Sequence, residues 1–545
     1  MLTIGLALGA ASDAAATGAG TVTIAAPDSM LGDPVAQPVT PNPSAQVLRG
    51  EYLATAGDCQ QCHSVPGAPA YSGGLAVGSP VGAVFSPNIT PDKTYGIGGW
   101  TDKEFWNALH YGISPGSSLL VFPHYMYPSM PYDATSKLSY DDVMAIKAYL
   151  DSITPAAIPD RETQIPFPLD IRAALLGWRI LFFRAAPMHY DPSWSPQVRN
   201  GAFLVQALAH CSDCHTPRNA LFASEDSKFL AGGNILSQSW YAPNISSETQ
   251  GGIGGWSTAD LVQYLSGGGQ LGAGAPFGPM QQVVADSLSR LPASDVQDIA
   301  AYLQTATRPQ PVAAGDMAGS SAEGAAVYAQ NCARCHGDQG QGVANNFPNL
   351  AANQSIWSGP SNNIIAMVIG GFQPWHQDQS AMPSFRTVLT DDQIAAVANY
   401  IRTSWGNQGT ADATGAKVAS LRAKTDTEID LDTASTQATL QTGGTSARFD
   451  DITGHLTKDG DNLNCQLQAN FAAAGTLPDV TVAGACGAGD SFKALVTVDG
   501  KTTPETLRLT TETVGDFARA VVLSGPLPDN AGSLYARIAL VTPNA

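Results

Sequence analysis

Cys59-Gln60-Gln61-Cys62-His63, Cys211-Ser212-Asp213-Cys214-His215 and Cys332-Ala333-Arg334-Cys335-His336 are the stretches that decide how this chain is read. In a C-x-x-C-H the two thiols are spaced to form thioethers with the two vinyl groups on one porphyrin edge. The adjacent histidine then faces the iron and supplies its proximal nitrogen. A bare C-x-x-C could also be a redox dithiol or half a zinc site. Zinc needs paired motifs that share one metal, whereas these begin 152 and 121 residues apart. The reading is three covalently bound haem c groups. Cys59 and Cys62, Cys211 and Cys214, and Cys332 and Cys335 hold them, with His63, His215 and His336 on the irons.

Working outward, the first two motifs sit in duplicated surroundings. Gly50-Glu51-Tyr52-Leu53 precedes Cys59, and Gly201-Ala202-Phe203-Leu204 precedes Cys211. Each motif is followed by a matching pair of segments: Pro87-Asn88-Ile89-Thr90 with Gly96-Ile97-Gly98-Gly99-Trp100, and Pro243-Asn244-Ile245-Ser246 with Gly252-Ile253-Gly254-Gly255-Trp256. Closing amphipathic helices are expected around Val143, Ile146 and Leu150, where Ser139 and Asp142 have capping-box spacing, and around Val296 and Leu303. The third block is shorter and lacks the glycine-tryptophan loop. It keeps the opening Gly324 to Tyr328 and a closing helix from Thr390 to Ile401.

A haem with only its histidine filled can bind small molecules, whereas one with two strong ligands passes electrons, so the distal ligand matters. Met130, Met280 and Met382 lie 67, 65 and 46 residues after His63, His215 and His336, each in turn-rich sequence before the closing helix. They are the expected sixth ligands. His124 and His376 each precede a methionine by six residues and offer a bis-histidine alternative, though the second block has Gly274 there. Propionate contact or proton transfer near a quinone is the other role open to them. Trp100, Trp256 and Arg218 are candidate propionate donors or simply structural.

The remaining segments carry no such chemistry. Residues 1–44 read as an export-signal remnant and a proline-rich linker. The segment 161–194 contains Ile165 to Pro187, an apolar stretch with Trp178, Phe182 and Phe183. It suits a helix lying in a membrane interface, or one packed between haem domains or under a partner. No apolar run reaches eighteen residues, so no transmembrane helix is expected. From 425 to 545 alternating segments and Asp499-Gly500 between two of them indicate a β-rich domain, a docking or structural module. Its Cys465 and Cys486 are read as a disulfide, contributing on the order of 3 kcal/mol.

With 545 residues and a net charge of −19, the chain has room for several cores and is a poor partner for nucleic acid or an anionic membrane surface. The fold expected is mainly α: three haem domains in tandem at 45–160, 195–310 and 319–408, followed by the small β-rich domain.

In the region from Ala45 to Trp405 the chain resembles the three-haem cytochrome c subunits of membrane-bound periplasmic dehydrogenases of acetic-acid bacteria. The C-x-x-C-H motifs, the PNIT/PNIS and GIGGW pairs, the YPSMPY and AMPSF turns, CHTPR and IPFPLDIRAALLGW carry the resemblance. It implies three cytochrome c domains that take electrons from a large catalytic subunit and deliver them to ubiquinone. That partner would be of the pyrroloquinoline quinone, flavin or molybdenum type, with a small iron-sulfur subunit in some members. The chain itself would not oxidise the substrate, and the site would be the periplasmic face of the inner membrane. Some relatives end in a membrane anchor, whereas this chain ends in a polar β-rich extension. A free-standing carrier, or a self-contained haem enzyme with an open axial position, are the alternatives.

Overall fold

The computed structural model describes residues 42–541, leaving out 65–68, 80–81, 119–121, 162, 164, 236–239, 268–273, 312–314, 316–320, 344–346, 373–381, 387, 427–428, 431–434, 443–444, 450, 460–461, 472–479, 487–490, 499–500, 515–517 and 527–532. Beyond 422 it describes mostly backbone.

Each C-x-x-C-H lies between an opening and a closing helix. In the first block Ala45–Ala56 runs into the short helix Cys59–Cys62, and Tyr140–Ser152 closes the block. The Ser139 hydroxyl accepts from the Asp142 N–H at 3.1 Å, so the capping residue expected from sequence starts that helix. The second block uses Pro196–Phe203, extended by a π-helical turn at Leu204–Leu208, and closes with Ala293–Thr305. The third uses Ala322–Asn331 and Asp391–Thr403, the latter opened by a full capping box of Thr390 and Gln393.

In all three blocks the helix pair touches at a glycine. A Cβ on Gly50 would lie 1.9 Å from the Ala145 carbonyl oxygen and 2.8 Å from the Tyr149 Cβ. On Gly201 it would meet the Asp298 carbonyl oxygen and the Tyr302 Cβ at the same two distances. On Gly324 the Ala396 oxygen would be 2.3 Å away and the Tyr400 Cβ 2.8 Å away. Only a residue without a side chain lets the backbones approach this closely. The glycine and the aromatic are therefore one structural unit, present three times.

Blocks one and two share a single hydrophobic core that runs from Leu53 and Leu150 through Leu204 and Leu208 to Ile299 and Leu303. Their packing is reciprocal. The helix Pro279–Asp286 of block two lies on the Cys59–Cys62 turn of block one, and Tyr132–Thr135 of block one lies on Leu204–Leu208 of block two. Polar contacts cross the seam: Tyr52 Oη donates to Asp295 at 2.7 Å, and Gln61 Nε2 donates to Gln282 Oε1 at 3.2 Å. Block three has its own core around Ile365, Ile394 and Ile401. It meets block two where Asn363 bonds both the N–H and the carbonyl of Tyr241, at 2.9 and 2.8 Å.

The inter-block segment forms the helix Leu175–Phe182 after a tight turn at Arg172–Ala174. Short antiparallel ribbons, Ala76–Ser79 with Gly82–Phe85 and Ile113–Ser118 with Phe122–Tyr125, interrupt the loops of block one. The glycine- and proline-rich sequence gave no alternation by which to foresee them.

The C-terminal region is one antiparallel sheet of ten described strands. Its long strands follow one another as a meander from Asp451–Asp459 to Ser533–Val541. The last of them returns to pair with Ser435–Thr442. The expected hairpin is present, with Val498 opposite Lys501; the turn residues 499–500 lie outside the described residues. Along Ser491–Val498, buried Phe492, Ala494 and Val496 alternate with exposed Lys493 and Leu495, the period of a strand with one covered face.

Candidate functional site

The three histidines that end the C-x-x-C-H motifs are held alike. The Nδ1 of His63 lies 2.8 Å from the Pro87 carbonyl oxygen, that of His215 2.6 Å from Pro243 O, and that of His336 3.0 Å from Pro348 O. A carbonyl can only accept, so each Nδ1 carries the proton and each Nε2 keeps its lone pair. Burial pushes all three imidazoles below their ordinary 6.5. A neutral ring, oriented through one nitrogen and free at the other, is what an iron ligand requires. This donor set fits a covalently attached haem.

The carbonyls belong to the Pro-Asn segments, which explains that motif. Asn88, 2% exposed, donates through Nδ2 to Ala156 O and Ile158 O at 2.8 and 3.0 Å and accepts from the Thr90 N–H at 2.9 Å. In block two Asn244 donates to Gln310 O at 2.8 Å and accepts from the Ser246 N–H at 2.9 Å. The asparagine thus ties the histidine's acceptor loop to the chain just after the closing helix. Block three keeps the turn in Pro348-Asn349, where Asn349 accepts from the Ala351 N–H at 2.8 Å, but there Asn407, just after the closing helix, makes the tie by donating to Leu350 O at 2.8 Å. Sequence reading passed over it, although the Pro-Asn pair after the motif was the available signal.

Replacing Asn88 with alanine is expected to cost about 3 kcal/mol, because two buried carbonyls and an N–H lose their partner. Chemical denaturation followed at the Soret band measures this. The accompanying sign is a shift in one haem potential, since the His63 ring loses the loop that orients it.

Cys59 and Cys211 are half-buried, while Cys62 and Cys214 are exposed at the seam between blocks one and two. The two motifs are near enough for Cys214 and Asp213 to act electrostatically on the Cys62 thiol. Cys332 and Cys335 are half-buried in block three. In blocks one and two the residue before the first cysteine takes a left-handed conformation, Asp58 at φ 51° and His210 at φ 33°. Burial pushes the Asp58 carboxyl well above the usual carboxylate range; Asp286 adds to this and Arg290 opposes it.

Met130 sits in the turn before Tyr132–Thr135, Met280 in the first turn of Pro279–Asp286, and Met382 pairs through its backbone with Phe372. All three are half-buried. Met280 packs on the shared core of blocks one and two, and Met382 on that of block three. His124 is taken up by Ser114, whose Oγ is 2.6 Å from its Nδ1. His376 lies outside the described residues. Arg218, one of the expected propionate donors, is engaged by the carbonyls of Asp213 and Phe222 and by the Asp213 carboxylate. Trp100 and Trp256 pack against the shared core.

Comparison with known proteins agrees with this chemistry. The cytochrome c family model matches residues 321–405, the third block. The chain is 37% identical over 421 residues to the fructose dehydrogenase cytochrome subunit of Gluconobacter japonicus, covering 70% of this chain and 85% of that one. It is 37% identical over 406 residues to the cytochrome c subunit of the alcohol dehydrogenase (quinone) of Gluconacetobacter polyoxogenes, with 70% and 84% covered. The same identity and length link it to the gluconate 2-dehydrogenase cytochrome c subunit of Pantoea cypripedii, with 69% and 90% covered. The chain belongs to the cytochrome c subunits of dehydrogenases. Covalently bound haem c and an electron-transfer role come with that family. Among the described residues, no helix is long and apolar enough to cross a membrane.

Proposed function

We propose that this subunit carries three haem c groups in three cytochrome c domains and passes electrons from a catalytic dehydrogenase subunit to ubiquinone. The axial pairs are His63 with Met130, His215 with Met280, and His336 with Met382. The observation that carries this reading is the threefold repetition of one hydrogen bond, an imidazole Nδ1–H held by a proline carbonyl behind a C-x-x-C-H. A thioether opposite each imidazole raises the potential, as an acceptor of substrate electrons needs. The partner oxidises an alcohol, aldehyde, sugar or sugar acid with pyrroloquinoline quinone, flavin or molybdenum, in some arrangements through a small iron-sulfur subunit. The complex sits at the periplasmic face of the inner membrane.

Residues 425–545 form a separate module, stapled by a Cys465–Cys486 disulfide. The sheet register supports the pairing: Gln466 stands opposite Ala485, and the two cysteines are the next residue on each strand. Their side chains lie outside the described residues.

Haem counting tests the reading. The native chain is expected to give three haems per polypeptide by pyridine haemochrome assay, and C332A/C335A to give two. Addition of CO to the reduced native protein is expected to leave the spectrum nearly unchanged at neutral pH. A native count of two, or a large CO shift, defeats the assignment.

A further inference from the structure

Blocks two and three have separate cores, so shared hydrophobic packing does not set their relative position as it does for blocks one and two. They meet at Asn363, which is 6% exposed and engages Tyr241 as a neighbouring strand would. Its side-chain oxygen accepts from the Tyr241 N–H at 2.9 Å, and its Nδ2 donates to the Tyr241 carbonyl at 2.8 Å. The Tyr241 ring lies on Gly359, where an added Cβ would fall 2.2 Å from the ring's Cε1. Gly359 is itself braced. Its carbonyl accepts from Nη2 of Arg402 at 2.6 Å, and that buried arginine also donates to Ile356 O and Thr410 O.

The two sides of this joint lead to different iron sites. In block two, Tyr241–Ala242 pairs with Gly233–Asn234, the Gly232 N–H donates to His215 O at 2.8 Å, and Pro243, the residue after Ala242, holds the His215 Nδ1. In block three, Asn363 lies in the first turn of the helix Asn362–Gly370, whose far end is bonded to the Met382 turn. There Ser384 donates to Ile369 O at 2.6 Å, and Phe372 and Met382 exchange both backbone hydrogen bonds at 2.9 Å. A second contact runs the opposite way. Gly274, six residues before Met280, lies beside Pro348, whose carbonyl holds the His336 Nδ1.

We propose that Asn363 is a positioning residue for electron exchange between the haems of blocks two and three. It fixes the separation and orientation at which one electron crosses, a ferric iron being reduced as a ferrous one is oxidised, with no bond made and no proton moved. The inference rests on the three-haem reading and adds to it the contact that sets one of the gaps between haems.

Pulse radiolysis of the oxidised full-length holo-chain tests it by following how an injected electron redistributes among the haems. The phase that involves block three is the one missing from C332A/C335A. N363A is expected to slow that phase about tenfold or more, since an ångström of misplacement between reacting groups is enough for such a loss. Pulsed EPR of the oxidised protein gives a readout that lost stability alone would not move. The distance between the irons of blocks two and three is expected to broaden in N363A, while that between blocks one and two stays as it was. G359A, which drives a Cβ into the Tyr241 ring from the other side of the joint, is expected to produce the same two changes. V388D, on an exposed part of block three, is expected to produce neither. Three haems per chain and an unchanged Soret spectrum show that the haem sites of a variant are intact. The proposal is overturned if N363A keeps the native phase and distance. It is equally overturned if the phase slows only together with loss of a haem, which reduces Asn363 to holding block three in its fold. Failure of the three-haem reading is seen separately, as a native chain with fewer than three haems.

Discussion

Met280→His is expected to lower the reduction potential of one haem by about 0.1 V or more, a modest share of the roughly 0.8 V that axial ligands command. The sulfur of a thioether favours ferrous iron, whereas a second imidazole favours the ferric state. Met280 is half-buried in the first turn of Pro279–Asp286, and its neighbour Gly278 holds the turn at φ 56° against the Trp240 ring. The helix is in turn packed against the Cys59–Cys62 turn of block one. A side chain on so well-braced a turn has little freedom to move aside. Spectropotentiometric titration of the native and substituted proteins decides the matter: one of the resolved waves moves and the others stay. If none moves, Met280 is not an iron ligand, and core packing is its whole role.

Gly201→Val is expected to destabilise blocks one and two by about 3 kcal/mol or more and to leave block three in place. The new Cβ would lie 1.9 Å from the Asp298 carbonyl oxygen and 2.8 Å from the Tyr302 Cβ, neither of them the far end of a flexible side chain that could yield. The opening and closing helices would have to separate, and overpacking of this kind is costly in a dense core. Because Leu204 and Ile299 belong to the same core as Leu53 and Leu150, the damage is shared with block one. Block three, with its separate core, is expected to unfold in an independent transition. Scanning calorimetry of the native chain and the variant shows this as one transition shifted down and one unmoved. A single transition shifted as a whole contradicts the division into a fused pair and a separate third block.

Both expectations draw on features that were partly visible in the sequence. Gly50, Gly201 and Tyr328 stood in quoted segments as landmarks of a repeat, but nothing in one chain says that Gly201 touches Asp298. The partner is 97 residues away, and only the crossing of two helices brings them together. The same holds for Pro87-Asn88-Ile89-Thr90. Its recurrence in block two marked it as part of a duplicated plan, while its task of holding the His63 Nδ1–H and tying down the chain at Ala156 appeared only in three dimensions. In block three the shorter Pro348-Asn349 went unread, because the loop around it had lost its other landmarks.

What the amino-acid order determined alone is the local chemistry. Thiol, thiol and imidazole lie within five residues, so a C-x-x-C-H holds the groups that haem attachment would use before any folding. Helix caps such as Ser139 and Thr390 act within one turn, and the two-residue hairpin loop between Val498 and Lys501 is likewise short-range. Tertiary structure decided the rest: that blocks one and two are fused through Pro279–Asp286 and Tyr132–Thr135, that block three keeps its own core while touching block two at Tyr241, and that Ile180, Leu181, Leu221 and Phe222 are exposed. The reason is physical. Burial and packing are set by residues distant along the chain, and the hydrophobic effect that assembles them is non-directional, so a pattern of apolar positions states that a face will be covered without naming what covers it.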